Sequence, residues 1–83
     1  MKNKIPVEIT SDYSVENVMI VEWHKNAGDM VAAGEALCFI DMGKADGDLP
    51  APASGLLEIV SPSGDMLEGK GKRHIIAYIE TDA

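Results

Sequence analysis

The sequence is poor in cationic charge, in cysteine and in long apolar runs, and each shortage removes a class of function. Seven lysines and arginines stand against fourteen aspartates and glutamates, a net charge of −7. Nucleic acid recognition draws on a basic stripe, and an anionic membrane surface repels a protein of this sign, so neither partner is expected. Proteins with basic docking surfaces are the partners such a charge favours. With the one cysteine, Cys38, no internal disulfide can form, which fits a reducing compartment. The longest apolar runs, Ala36 to Ile40 and Ile75 to Ile79, fall far short of the ~20 residues of a membrane-spanning helix. Met1-Lys2-Asn3-Lys4 carries charge with no apolar segment behind it, so a secretory signal is not expected. Cytoplasm, or an organelle matrix, is the expected compartment. His24 and His74 lack metal-ligand spacing, and no serine, cysteine or carboxylate grouping resembles a nucleophile with its base. The chain by itself is therefore expected to hold no metal and to catalyse nothing.

What is present reads as one small β domain over residues 1–83. A chain of this length buries roughly 60–65% of its extended surface, so its core is thin. Ile5-Pro6-Val7-Glu8-Ile9 alternates and carries a proline near its start, as a short edge strand does. Thr10 to Asn17 is a polar loop, and Val18 to His24 is a strong strand rich in β-branched residues. Along that strand Glu22 and His24 mark a wetter face shared with Val18 and Ile20, which leaves Met19, Val21 and Trp23 on the drier one. Trp23 reads as a core or rim anchor. Turn chemistry at Asn26-Ala27-Gly28-Asp29 precedes a short Met30-Val31 strand, and Ala33-Gly34-Glu35 turns again. Ala36 to Asp41 is the next strand. With Asp41 outward, Ala36, Cys38 and Ile40 point inward, and a bulge would bring in Leu37 as well. Cys38 is then a small buried hydrophobe. Gly69 to His74 is a basic, glycine-rich turn without P-loop spacing, and Ile75 to Glu80 closes the chain's last strand.

The second half repeats the first. At an offset of 36, Gly28-Asp29-Met30-Val31 falls on Gly64-Asp65-Met66-Leu67, and Val21-Glu22-Trp23 falls on Leu57-Glu58-Ile59. Two similar units of about four short strands each, unable to bury an apolar face alone, are expected to pack face to face as a small antiparallel sandwich or flattened barrel.

Between the two units stands FIDMGKADGDLPAP, Phe39 to Pro52. Gly43 can take positive φ, and glycine at the first central position of a two-residue loop is the mark of a type II′ turn. Gly43 and Lys44 are the expected turn residues, with the Lys44 ammonium in solvent at the tip. Asp41, Asp46 and Asp48 surround it, either as a solvated acidic rim or as a recognition surface.

The run VEWHKNAGDMVAAGEAL, then Lys44-Ala45, then Asp48-Leu49-Pro50-Ala51-Pro52 with Gly55 beyond, resembles the biotinyl/lipoyl attachment domain family. Within it, the chain looks most like the lipoyl domains of 2-oxo acid dehydrogenase acyltransferases. The resemblance covers about Ile5 to Ile79 and places Lys44 at the modified position. It implies a flattened barrel of two four-stranded antiparallel sheets related by a quasi-twofold, with the lysine on an exposed hairpin. It also implies covalent lipoate on Lys44, a lipoate-attaching ligase, and partnership with 2-oxo acid dehydrogenase and dihydrolipoamide dehydrogenase components. The family's lipoyl members place aspartate before the lysine, where this chain has Gly43. Its biotin members flank the lysine with methionines, where this chain has Gly43 and Ala45. Ala45 and Asp48 favour lipoate over biotin. An unmodified interaction module is the alternative that Gly43 suggests.

Overall fold

The computed structural model describes residues 2–43 and 45–82. Eight strands follow one another: β1 (Asn3–Thr10), β2 (Asn17–Trp23), β3 (Met30–Val31), β4 (Ala36–Asp41), β5 (Asp46–Pro50), β6 (Gly55–Ile59), β7 (Met66–Glu68) and β8 (Arg73–Thr81). They form two four-stranded antiparallel sheets, ordered β1-β8-β6-β3 and β5-β4-β2-β7. The two sheets close into the flattened barrel that the strand and turn spacing predicts, and no helix occurs among the described residues.

The halves do not pack face to face as separate sheets, as the repeat alone suggests. Each sheet takes two strands from each half, and adding four to a strand's number converts one sheet's order into the other. Neither half can therefore bury its apolar face without the other's strands beside it. Backbone hydrogen bonds repeat with the sheets. The Gly28 N–H donates to Leu57 O at 2.8 Å and the Leu57 N–H to Asp29 O at 3.0 Å. In the related place the Gly64 N–H donates to Ile20 O and the Ile20 N–H to Asp65 O, at 2.6 and 2.9 Å.

These equivalences correct the register of the repeat. Leu57 matches Ile20, not Val21, while Glu58 matches Glu22 and Ile59 matches Trp23. Val21 is the extra residue, and the β2–β4 register shifts between Ile20 and Glu22. The bulge switches parity within β2: Val18 and Ile20 are buried before it, and Trp23 packs against the core after it. The drier face is thus Val18, Ile20 and Trp23, with Val21 40% exposed. A uniform period of two, read backward from Glu22 and His24, put the wrong pair inside. Trp23 is a rim anchor whose indole N–H donates to Ser61 O at 2.7 Å.

In β4 a second shift between Ala36 and Cys38 brings Leu37 inward beside Cys38 and Ile40, as the sequence allowed. Leu37 and its counterpart Ile76 are both fully buried, and each accepts a backbone N–H from the related strand, His24 for one and Val60 for the other. Ile20, Leu37, Ile40, Leu57, Ile76 and Ile79 form the centre of the core. Fully burying each such side chain contributes about 1.5–3 kcal/mol. The body measures 39 × 20 × 18 Å. The β4–β5 connection lies at one end of it, and the paired chain ends, Asn3 beside Thr81, lie at the related position of the other.

Candidate functional site: the β4–β5 hairpin

β4 and β5 pair up to Asp41 opposite Asp46, and the Met42 N–H donates to Ala45 O at 2.9 Å, which closes a connection across positions 43 and 44. Gly43 has φ 82°, a conformation that an L side chain enters only at a cost. Its N–H donates to Asp41 Oδ1 at 2.8 Å. Nothing lies within 4 Å of where a Cβ on Gly43 would sit, and both Gly43 and Ala45 are exposed. Lys44 itself lies outside the described residues. The residues on either side of it form an uncrowded turn at the end of a rigid sheet.

The three aspartates divide. Asp41 and Asp46 are exposed and face each other across the strands, so the tip carries two opposed carboxylates. Asp41 also serves the backbone, holding the Gly43 N–H as an Asx-type turn. Asp48 sits further down β5, where its carboxylate bonds His24 Nε2 at 2.8 Å. That tie between β5 and the end of β2 was missed in the sequence, because nothing local links positions 24 and 48. Cys38 is fully buried, and burial first, with the Asp48 carboxylate second, pushes its thiol up to about 12. A thiol so held is protonated and unreactive at neutral pH.

Beside the hairpin runs an open groove of about 410 Å³, lined by Met19, Met42 and Met66 with Glu16, Asp41 and Gly43 at its margin. The methionines come from β2, the β4–β5 connection and β7, so no stretch of sequence displays them together. The partial signal was the repeat, which already matched Met66 to Met30. A smaller hollow of about 130 Å³ lies by Ala45, Asp46 and Leu49. The basic turn from Gly69 to His74 borders the larger groove through Val15 and Glu16, with its cations beside acids: Lys70 by Glu16, Lys72 by Glu68 and Arg73 by Glu8.

Comparison with known proteins bears on this arrangement. The family described as Biotin-requiring enzyme matches residues 3–80, nearly the whole chain. The dihydrolipoyllysine-residue succinyltransferase component of the 2-oxoglutarate dehydrogenase complex of Cupriavidus necator is 37% identical over 71 residues, 84% of this chain and 16% of that protein. The mitochondrial components of the same name from Homo sapiens and Mus musculus are each 40% identical over 50 residues, 59% of this chain and 11% of theirs. The chain thus spans less than a fifth of the length of these curated relatives. Domains of this family are carriers rather than catalysts and hold lipoate or biotin covalently. From its interleaved two-sheet barrel, its exposed central hairpin and a match that runs from end to end, this chain belongs to the biotinyl/lipoyl attachment domain family.

Proposed function

We propose that this chain is a swinging-arm carrier, with lipoate in amide linkage to Lys44, serving a 2-oxo acid dehydrogenase-type complex in the cytoplasm or a mitochondrial matrix. The observation that carries the reading is the open turn around position 44: Gly43 at φ 82°, exposed Gly43 and Ala45, and free space at the Gly43 Cβ position. An attaching enzyme must take the lysine into its own active site. A turn without bulky neighbours, on a barrel that does not yield, permits that. Lipoate supplies a dithiolane able to carry acyl groups and electrons. The chain supplies exposure and rigidity, and a tether that turns diffusion between active sites into a high effective concentration.

Residues 5–79 form the carrier unit in this reading. Asp41, Asp46 and Asp48 are its recognition surface for a lipoate-attaching ligase and for the 2-oxo acid dehydrogenase and dihydrolipoamide dehydrogenase components. Lipoate is preferred to biotin because Ala45 and Asp48 match the lipoyl pattern and the relatives are named for succinyl transfer at a dihydrolipoyllysine residue. A second reading, an unmodified interaction module, rests on Gly43, which stands where lipoyl members carry aspartate. Coexpression with a lipoate ligase, and separately with a biotin ligase, followed by intact mass, tests the proposal. A lipoyl increment that Lys44→Arg abolishes is the expected result. A biotinyl increment, or none with either ligase, would overturn it. Gly43→Asp, for which there is room but which the positive φ makes costly by about 1 kcal/mol, then shows whether the missing carboxylate limits modification.

A further inference from the structure

The quasi-twofold that relates the sheets also relates two grooves. The first, beside the hairpin, is floored by Met19 and Met66 and measures about 410 Å³. The second, at the chain-end side of the barrel, is floored by Leu56 and Met30 and measures about 390 Å³. Leu56 is the counterpart of Met19, Met30 of Met66, and Glu80 of Asp41. Two hollows of nearly equal size thus follow from one barrel, and their linings differ in two respects. The hairpin groove has methionine at three places, Met19, Met42 and Met66, and its charged lining among the described residues is acidic only, Glu16 and Asp41. The chain-end groove mixes Lys2 with Glu80 and Asp82.

We infer that the hairpin groove is a berth for the uncharged end of the arm carried by Lys44; this rests on the carrier reading above. Three observations support it. The groove reaches Gly43, the residue before the attachment point, so it lies within the span of an arm rooted at the next position. Methionine side chains are flexible and polarizable, and they pack against a sulfur-containing ring of variable pose better than branched side chains do. The acidic margin selects by charge: a neutral dithiolane on an amide arm is accepted, while an anion is repelled at short range. Glu16 shares its charge with Lys70 at 3.7 Å, and Asp41 accepts the Gly43 N–H. The berth would keep the ring out of water between visits to partner sites while leaving it free to swing out.

The test uses methionine-methyl NMR on the full chain. In the first arm, chain shown by mass to be lipoylated is compared with unmodified chain. The Met19 and Met66 methyls should shift and the Met30 methyl, in the related groove, should not. Shifts confined to the immediate neighbours of position 44, or an equal shift at Met30, would overturn the inference. In the second arm, Lys44→Gln chain, which lacks the ammonium that would attract an anion, is titrated with free lipoamide and, separately, with lipoate, so the result stands even if Lys44 is never modified. Lipoamide should move the same two methyls, with lipoate binding about tenfold more weakly at low salt; equal affinities, or no response to lipoamide, would count against the berth. Met66→Glu should abolish the response of the Met19 methyl in both arms. Met66 is 59% exposed, so this variant keeps the fold, which the undisturbed Met30 signal verifies.

Discussion

The two ends of this barrel share a backbone plan and differ in charge. At the hairpin end Asp41 lies opposite Asp46 across β4 and β5, two carboxylates face to face. At the other end the related pair is Glu80 opposite Lys4 across β8 and β1, with Lys2 also 3.4 Å from Glu80 and Lys4 bonded to Glu58 at 2.8 Å. Cross-strand pairs of opposite charge stabilise a sheet and like pairs weaken it. The chain ends show what the backbone prefers at that position. The acidic tip departs from it, so its charge answers to something other than folding. Substitutions made in matched pairs, one on each side of the quasi-twofold, can separate what the barrel requires from what the hairpin adds.

The largest effects belong to the core, where the two halves should be equal. Ile20 and Leu57 occupy related positions and are 0% and 2% exposed. Ile20→Ala and Leu57→Ala should each cost about 3 kcal/mol, read as a shift in urea midpoint at constant slope. For a domain whose total stability is on the order of 5–15 kcal/mol, either loss is large. A difference above about 2.5 kcal/mol between them, beyond the usual spread of cavity costs, would show that one sheet dominates the core and that the symmetry is only of shape.

Deleting Val21 should cost less than either truncation. Without it β2 would run Ile20-Glu22-Trp23, the pattern in-out-in that Leu57-Glu58-Ile59 already follows in β6. Removing one residue from a strand ordinarily turns every later side chain to the wrong face. Here it would restore the period that the bulge interrupts. Retained cooperative unfolding with an unchanged Trp23 emission spectrum is the expected outcome; an unfolded chain would show that the bulge is needed for barrel closure.

That bulge also marks the limit of what the sequence discloses. The strands and their turns were legible, because β-branched runs alternate with Gly-Asp turns and because the turns recur at Gly28 and Gly64. The hairpin at Gly43 was legible from a glycine at the first central position of a two-residue loop. Which sheet each strand joins was not, since a period of two tells which face a residue takes and says nothing of its neighbour strand. Val21 betrays no bulge by its type, and Glu22 and His24, read through it, assigned Met19 and Val21 to the core. The hairpin groove was hidden because its three methionines come from two strands and a connection that are far apart in the sequence. The bond between His24 and Asp48 was hidden in the same way, in a pairing that only the folded sheet creates.

A smaller and reciprocal effect is expected where the two halves solve one turn with different residues. Gly34 and Lys70 are related: each donates its N–H to a carbonyl across the barrel, Ala51 O at 2.8 Å and Val15 O at 2.6 Å, and each has positive φ, 85° and 57°. Lys70 is the only non-glycine residue with positive φ among those described. Left-handed backbone costs an L residue roughly 1–2 kcal/mol, part of which glycine gives back as unfolded-state entropy. Lys70→Gly should therefore raise stability by about 1 kcal/mol, and Gly34→Lys should lower it by a similar amount. The exposed ion pair lost with Lys70 is worth little. Thermal unfolding of both variants decides the matter, and equal signs would contradict the relation between the turns.

The smallest effect on stability bears most on function. Asp46→Lys gives the hairpin end the charge pattern of the chain ends, with a cation opposite Asp41 as Lys4 stands opposite Glu80. The gain should be about 0.5 kcal/mol, falling with added salt because the pair is exposed. If the acidic tip is a docking surface for basic partners, the same variant should be acylated more slowly by a 2-oxo acid dehydrogenase component at low ionic strength, and the gap to wild type should narrow as salt rises. A variant both more stable and a poorer substrate would show that the opposed carboxylates are maintained against the sheet's own preference. If it is more stable and unimpaired, the acidic tip is a solvated rim, and recognition must be sought elsewhere on the barrel.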